Sequence, residues 1–182
     1  MERPHPQEAR LVEDEAGGLK PEGDGWYVLN VADSWATARE GHGHAFRLGT
    51  AGSFGVYGLN VRVFEPGQVT SLYHAESNQE DFLVLFGECL LLVEGRERRL
   101  RQWDFFHAPP WTEHTFVGAG DDPCAVLMIG LRDPDEQVVY PPNEVAARYE
   151  AAVEREITEP PEAYASRDWP QPTTVRPPWP PA

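Results

Sequence analysis

The chain has 182 residues, with 30 acidic side chains against 15 basic ones and a formal net charge of −15. Lys20 is its single lysine and no basic stripe is visible, which excludes a nucleic-acid or anionic-lipid surface built on Lys/Arg neutralisation of phosphates. No apolar run reaches the roughly 18 residues of a membrane span, and the first residues lack the apolar core of a secretory signal. The expectation is a cytoplasmic protein with one sizeable core and additional segments at its ends.

Residues 1–25 are acidic and without periodicity, which reads as an N-terminal tail that is mobile or only locally docked. The run Trp-Tyr-Val-Leu-Asn-Val over 26–31 reads as a first strand, and 32–40 as one short helical turn capped by Asp33 or Ser34. Gly41-His42-Gly43-His44 reads as a glycine-broken loop with solvated histidines. From there to about residue 131, short runs rich in Val, Leu and Phe alternate with Gly, Pro and Asn punctuation. They are 56–64, 82–86, 90–93, which turns at 94–96 into the polar 98–101, then 103–107, 114–117 and 125–131. No helix-period segment intervenes, so a sandwich or closed barrel over 26–133 is expected rather than a βαβ fold.

Beyond Pro134 the character changes. Residues 143–156 predict a helix, with Asn143 as N-cap and an apolar stripe of Val145, Tyr149, Ala152 and Val153 against the barrel. The Pro-rich remainder of the C-terminal segment, 134–182, carries Trp169 and Trp179 and either docks as an extended tail or stays disordered. Cys89 and Cys124 sit in apolar runs and read as small core residues. A disulfide between them has weak support in a cytosolic-looking chain.

The chemistry concentrates in two clusters. One is His74-x-Glu76-x3-Glu80 between Gly67 and Gly87; the other is Pro109-Pro110-Trp111-Thr112-Glu113-His114. On a strand, alternate side chains share a face. His74, Glu76 and Glu80 have that parity and would converge from one wall, with His114 arriving from another. Tyr73, of opposite parity, should pack. Gln79 reads as a turn residue, and His107 as a surface or core residue that could instead contact a ligand. Phe82, Phe86, Phe105, Phe106 and Phe116 should be mostly core. Nucleophile elbows, Walker loops and dinucleotide fingerprints do not occur.

These clusters resemble the two motifs of the cupin family. The first runs Gly67-(x6)-His74-x-Glu76-(x3)-Glu80-(x6)-Gly87, and the second Pro109-x-Trp111-x-x-His114. Glu76 stands where the family usually has a second histidine, and the lead-in from Gly67 is one residue longer than the common form. Trp111 replaces a glycine and Gly118 an asparagine. The resemblance spans about 56–131 and implies an all-β double-sheet jelly-roll barrel with one divalent metal in its mouth. His74, Glu76, Glu80 and His114 are the implied ligands. Two imidazoles and two carboxylates suit Mn²⁺ or Fe²⁺, and would also accept Ni²⁺ or Zn²⁺. The implied function is a dioxygenase, isomerase or lyase acting on a small polar metabolite, with Glu76 as general base if it is not a ligand. A non-catalytic binder of a sugar or organic acid is the alternative, and a scaffold for the tails a third. Cupin barrels pair through sheet edges, so a homodimer is expected, with Trp26, Trp35, Trp169 and Trp179 as candidate contacts.

Overall fold

A computed structural model describes residues 7–50 and 53–174. Fourteen strands and three short helical turns follow one another along the described chain. The strands are β1 (Arg10–Glu13), β2 (Leu19–Glu22), β3 (Ala36–Arg39), β4 (Gly43–Arg47), β5 (Tyr57–Phe64), β6 (Ala75–Glu76) and β7 (Glu80–Phe86). They continue as β8 (Glu88–Val93), β9 (Arg96–Arg101), β10 (Phe105–Ala108), β11 (His114–Ala119), β12 (Cys124–Leu131), β13 (Val138–Val139) and β14 (Gln171–Pro172). The helical turns are a 3-10 turn at Val31–Asp33 and the single-turn helices α1 (Glu144–Ala147) and α2 (Pro160–Ala163).

Seven strands form one antiparallel sheet in the order β10-β7-β12-β5-β4-β3-β14. A second sheet runs β11-β8-β9, extended at β11 by bridges Val69↔Val117 and His74↔His114. The two sheets close on a shared core of Phe64, Phe82, Val84, Val126, Leu91 and Phe116, which includes Cys89 and Cys124. Both cysteines are free and fully buried, as their apolar runs predicted. The all-β double-sheet jelly roll that the resemblance implies is the fold observed.

Gly87 shows why the first motif ends in glycine. It joins β7 to β8 with φ +70°, and an added Cβ would lie 2.2 Å from the Pro123 carbonyl oxygen. Both the left-handed backbone and the close approach demand the absence of a side chain. Gly87→Ala is expected to lower stability by about 2–5 kcal/mol; an unchanged denaturation midpoint would contradict this. Gly118, where the family has asparagine, is equally constrained, since a Cβ there would sit 2.1 Å from the Glu65 carbonyl oxygen.

Several local expectations are corrected. Residues 7–25 contain a hairpin, β1–β2, whose register ends on Arg10↔Glu22. The run 26–31 is no strand: it lacks a ladder partner beyond one bridge from Trp26 to Glu8, and Val28 is 80 % exposed. The helical turn precedes its predicted place, capped by Asn30, whose side chain accepts from Ala32 N–H, and 36–39 is strand β3. Pairing with β4 decided that segment over its weak local preference. Residues 43 and 44 belong to β4, and His42 is buried, not solvated. Phe105 is 62 % exposed, on the edge strand β10.

The helix predicted over 143–156 stops after one turn. Asn143 caps it as expected, accepting from the N–H groups of Val145 and Ala146. Glu150 then takes φ +56°, its N–H returning to the Ala147 carbonyl and that of Ala151 to the Ala146 carbonyl, a Schellman closure. Ala146 and Ala151 are thereby buried against Val69, Tyr73, Leu92 and Val117, and the Ala151 carbonyl accepts from Tyr73 N–H at 2.7 Å. Packing on the barrel outweighs the propensity of a fourteen-residue helical pattern.

The C-terminal segment, as far as residue 174, docks on its own barrel. β14 covers the free edge of β3, and Tyr164 OH accepts from the buried Leu72 N–H at 3.0 Å. Trp169 is 57 % exposed and Trp26 52 %, while the Trp35 indole donates to the Gly49 carbonyl. Trp179 lies outside the described residues.

Candidate metal centre

His74 and His114 face each other as a hydrogen-bonded antiparallel pair. His74 N–H donates to the His114 carbonyl at 3.2 Å and His114 N–H to that of His74 at 2.8 Å. Residues opposite one another on antiparallel strands point the same way, so both imidazoles leave the same wall, their centroids 5.1 Å apart. Glu80 arrives from the other sheet, at the start of β7 opposite Ala108 and Gly130. The predicted grouping by parity is therefore corrected. A turn over 77–79 carries the chain between sheets, and the two histidines share a wall while Glu80 faces them.

One nitrogen, oxygen or imidazole atom from each of His74, Glu80 and His114 lies within 4.8 Å of the others. Glu76 is outside this group of three but remains adjacent, its Oε1 3.5 Å from His74 Nε2. It lines a neighbouring groove with Glu136, Trp111 and Tyr140. Trp111 occupies the motif's glycine position with φ +67°, and its N–H donates to the Glu76 carbonyl at 2.7 Å. The turn that glycine normally supplies is retained by that bond.

The ring orientations suit a cation. His74 Nδ1 lies 2.8 Å from the Leu72 carbonyl and His114 Nδ1 2.9 Å from the Thr112 carbonyl. A carbonyl only accepts, so each Nδ1 carries its proton and donates. That fixes both rings and turns both Nε2 atoms inward, the arrangement found for imidazoles that ligate metals. His114 Nε2 is 3.4 Å from Glu80 Oε2. Lone pairs and carboxylates facing each other repel unless a proton or metal ion stands between them.

The protonation pattern has the same origin. Burial pushes Glu80 upward, and the Glu76 carboxylate adds to this, placing its pKa at about 7. Burial alone would lower His74, but the Glu76 and Glu80 carboxylates outweigh it and hold it above its ordinary value. Burial would raise Glu76, but its contact with His74 reverses that and holds it low. His114, enclosed by Phe82, Phe106 and Phe116, is pushed down to about 4 by burial and then by His74.

The remaining candidates fall outside this centre. Tyr73 packs in the core and its OH accepts from Gly95 N–H, as its parity predicted. His107 is exposed, with Nδ1 2.7 Å from Asp81 Oδ1, and Gln79 donates to the same carboxylate. Sequence reasoning missed another part of the cavity lining, Arg39, Arg47, Asn60 and Arg62, which lies on the same sheet as Glu80. The signal was present in Asn60-Val61-Arg62-Val63, where polar residues alternate with core valines on a strand covered on both faces.

Residues 60–130 match the family model described as the cupin domain. That stretch of the chain is a cupin domain. No curated protein matches it significantly. Among solved structures, this cupin is similar to a sugar phosphate isomerase of the cupin superfamily from Silicibacter pomeroyi. The two are 32 % identical over 52 % of this chain and 62 % of the other, with a TM-score of 0.48. It is also similar to a putative sugar phosphate isomerase from Acidithiobacillus ferrooxidans, at 26 % identity over 48 % and 56 % with a TM-score of 0.45. A polyketide cyclase from Streptomyces resistomycificus matches more of the chain, 75 % and 83 %, at 15 % identity and a TM-score of 0.47. The cupin thus spans 56 % and 62 % of the lengths of the two isomerase structures.

Proposed function

We propose that this cupin is a metal-dependent enzyme acting on a small polar metabolite, by chemistry of the dioxygenase, isomerase or lyase type. The observation that carries the reading is the convergence of two inward-facing Nε2 atoms and the Glu80 carboxylate within 4.8 Å. His74, Glu80 and His114 would hold one divalent ion, of manganese, iron, nickel or zinc. Such an ion supplies Lewis acidity toward a substrate oxygen. Glu76, held ionised beside His74, serves as the proton acceptor. The aromatic shell of Phe82, Phe106 and Phe116 behind His114 keeps water from that side of the centre.

The test is metal analysis of the purified full-length protein, followed by turnover assays on a metabolite panel before and after chelation. About one metal per chain, with activity lost on chelation and restored by re-addition, is the expected result. Absence of bound metal after incubation with all four ions at neutral pH removes the reading. Bound metal and bound metabolite without turnover would assign a binding role instead.

A further inference from the structure

The cavity that contains His74, Glu80 and His114 also has a cationic part, on strands of the sheet that carries Glu80. Its volume is about 280 Å³, just below the range of roughly 300–1,000 Å³ for small-ligand pockets. Arg39 pairs with Gly43, Arg47 with Asn60 and Arg62 with Ala45 across β3, β4 and β5. Directly opposed residues share a face, and so do alternate residues along β3 and β4. Arg39, Arg47, Asn60 and Arg62 therefore all point into the barrel, where the cavity meets them.

These charges are unanswered. Among the described residues, the ion pairs join other arginines and histidines to carboxylates, and none involves Arg39, Arg47 or Arg62. This occurs in a chain with twice as many acidic as basic side chains. Arg62 donates to the Thr70 carbonyl, and the Arg39 guanidinium lies 4.4 Å over the Tyr164 ring. The Nε atoms of Arg39 and Arg47 and the Oδ1 of Asn60 are buried without a hydrogen-bond partner. All such buried orphan atoms among the described residues lie between Thr37 and Asn60. Burial and the neighbouring guanidinium of Arg47 bring Arg62 down to about 10. Partly buried cations that repel one another and hold unbonded donors favour an anion that joins them. Arg39, Arg47, Asn60 and Arg62 line one cavity with His74, Glu80 and His114.

We propose that Arg39, Arg47 and Arg62 bind an oxyanion group of the ligand, a carboxylate or a phosphate, and so present its other end to His74, Glu80 and His114. The inference deepens the metal-enzyme reading and rests on it for the reacting end. Guanidinium forks match both oxyanions in geometry. Asn60 Oδ1 offers an acceptor for a hydroxyl beside the anion.

The test titrates chelator-treated full-length protein at constant ionic strength with inorganic phosphate, malonate and, as an uncharged control, glycerol. The variants are Arg39→Gln and Arg47→Gln, with folding checked by circular dichroism and metal content measured separately after reconstitution. At least one anion should bind the wild type with 1:1 stoichiometry and glycerol should not. Each variant should bind that anion about tenfold or more weakly. Preference for phosphate would indicate a phosphorylated metabolite, and preference for malonate a carboxylic acid. If neither anion binds at tens of millimolar, or if both variants bind as well as wild type, the proposal is overturned. Metal uptake without anion binding removes this inference alone; anion binding without metal uptake removes only the metal reading.

Discussion

Glu80→Gln should abolish metal binding and yet stabilise the metal-free protein above neutral pH. The carboxyl is mostly buried and faces Glu76, so its pKa in the folded protein is about 7, against an ordinary 4.5. A group with a raised folded pKa contributes stability that is complete below 4.5 and is lost as pH rises through 7. Glutamine keeps the shape and never ionises. At about pH 8 the metal-free variant should exceed wild type by on the order of 2 kcal/mol, with the gap closing near pH 4.5. His114 works in the opposite sense. Held neutral by burial, it contributes stability present above 6.5 and lost as pH falls through about 4. It is common to both proteins and cancels in the comparison. Urea denaturation of the two chelated proteins across this range checks the prediction. A variant that is less stable at every pH would mean that Glu80 serves as a structural hydrogen-bonding group, not as an idle ligand.

The apparent affinity for a divalent ion should fall steeply below neutral pH. Glu80 titrates at about 7 and His74 above its ordinary value, so an entering cation must displace protons from both. Each displaced proton weakens apparent binding by about tenfold per pH unit below its pKa. His114 is neutral until about pH 4 and adds nothing until then. Between about pH 7 and 5 the loss should therefore be on the order of 10²- to 10⁴-fold. Calorimetric titration with Mn²⁺ in buffers of different ionisation enthalpy reads both the affinity and the protons released. A flat profile with no proton release would place the bound ion somewhere other than these side chains.

Much of this architecture was legible because a half-buried strand writes itself as alternation. The runs at 82–86, 90–93, 114–117 and 125–131 fall within observed strands, 56–64 does so from Tyr57 onward, and Asn143 caps where expected. Elements whose partner is remote in sequence were less readable. Strand β3 exists because β4 and β14 flank it, and the helix after Asn143 stops because Ala146 and Ala151 find a buried seat on the barrel. His42 looked solvated between glycines, yet Arg167 donates to its Nε2 from 125 residues away and burial holds its pKa near 4.

The order of residues alone singled out His74, Glu76, Glu80 and His114 as candidates on neighbouring β segments, since motif spacing and strand period are local properties. Only the tertiary structure decided which of them meet. It put both histidines on one wall through the His74↔His114 pairing and brought Glu80 across from the other sheet. It also turned three arginines from β3, β4 and β5 toward the same cavity. Register between strands distant in sequence makes those choices, and it is fixed by burial of the opposite faces, where Val61, Val63 and Phe46 pack.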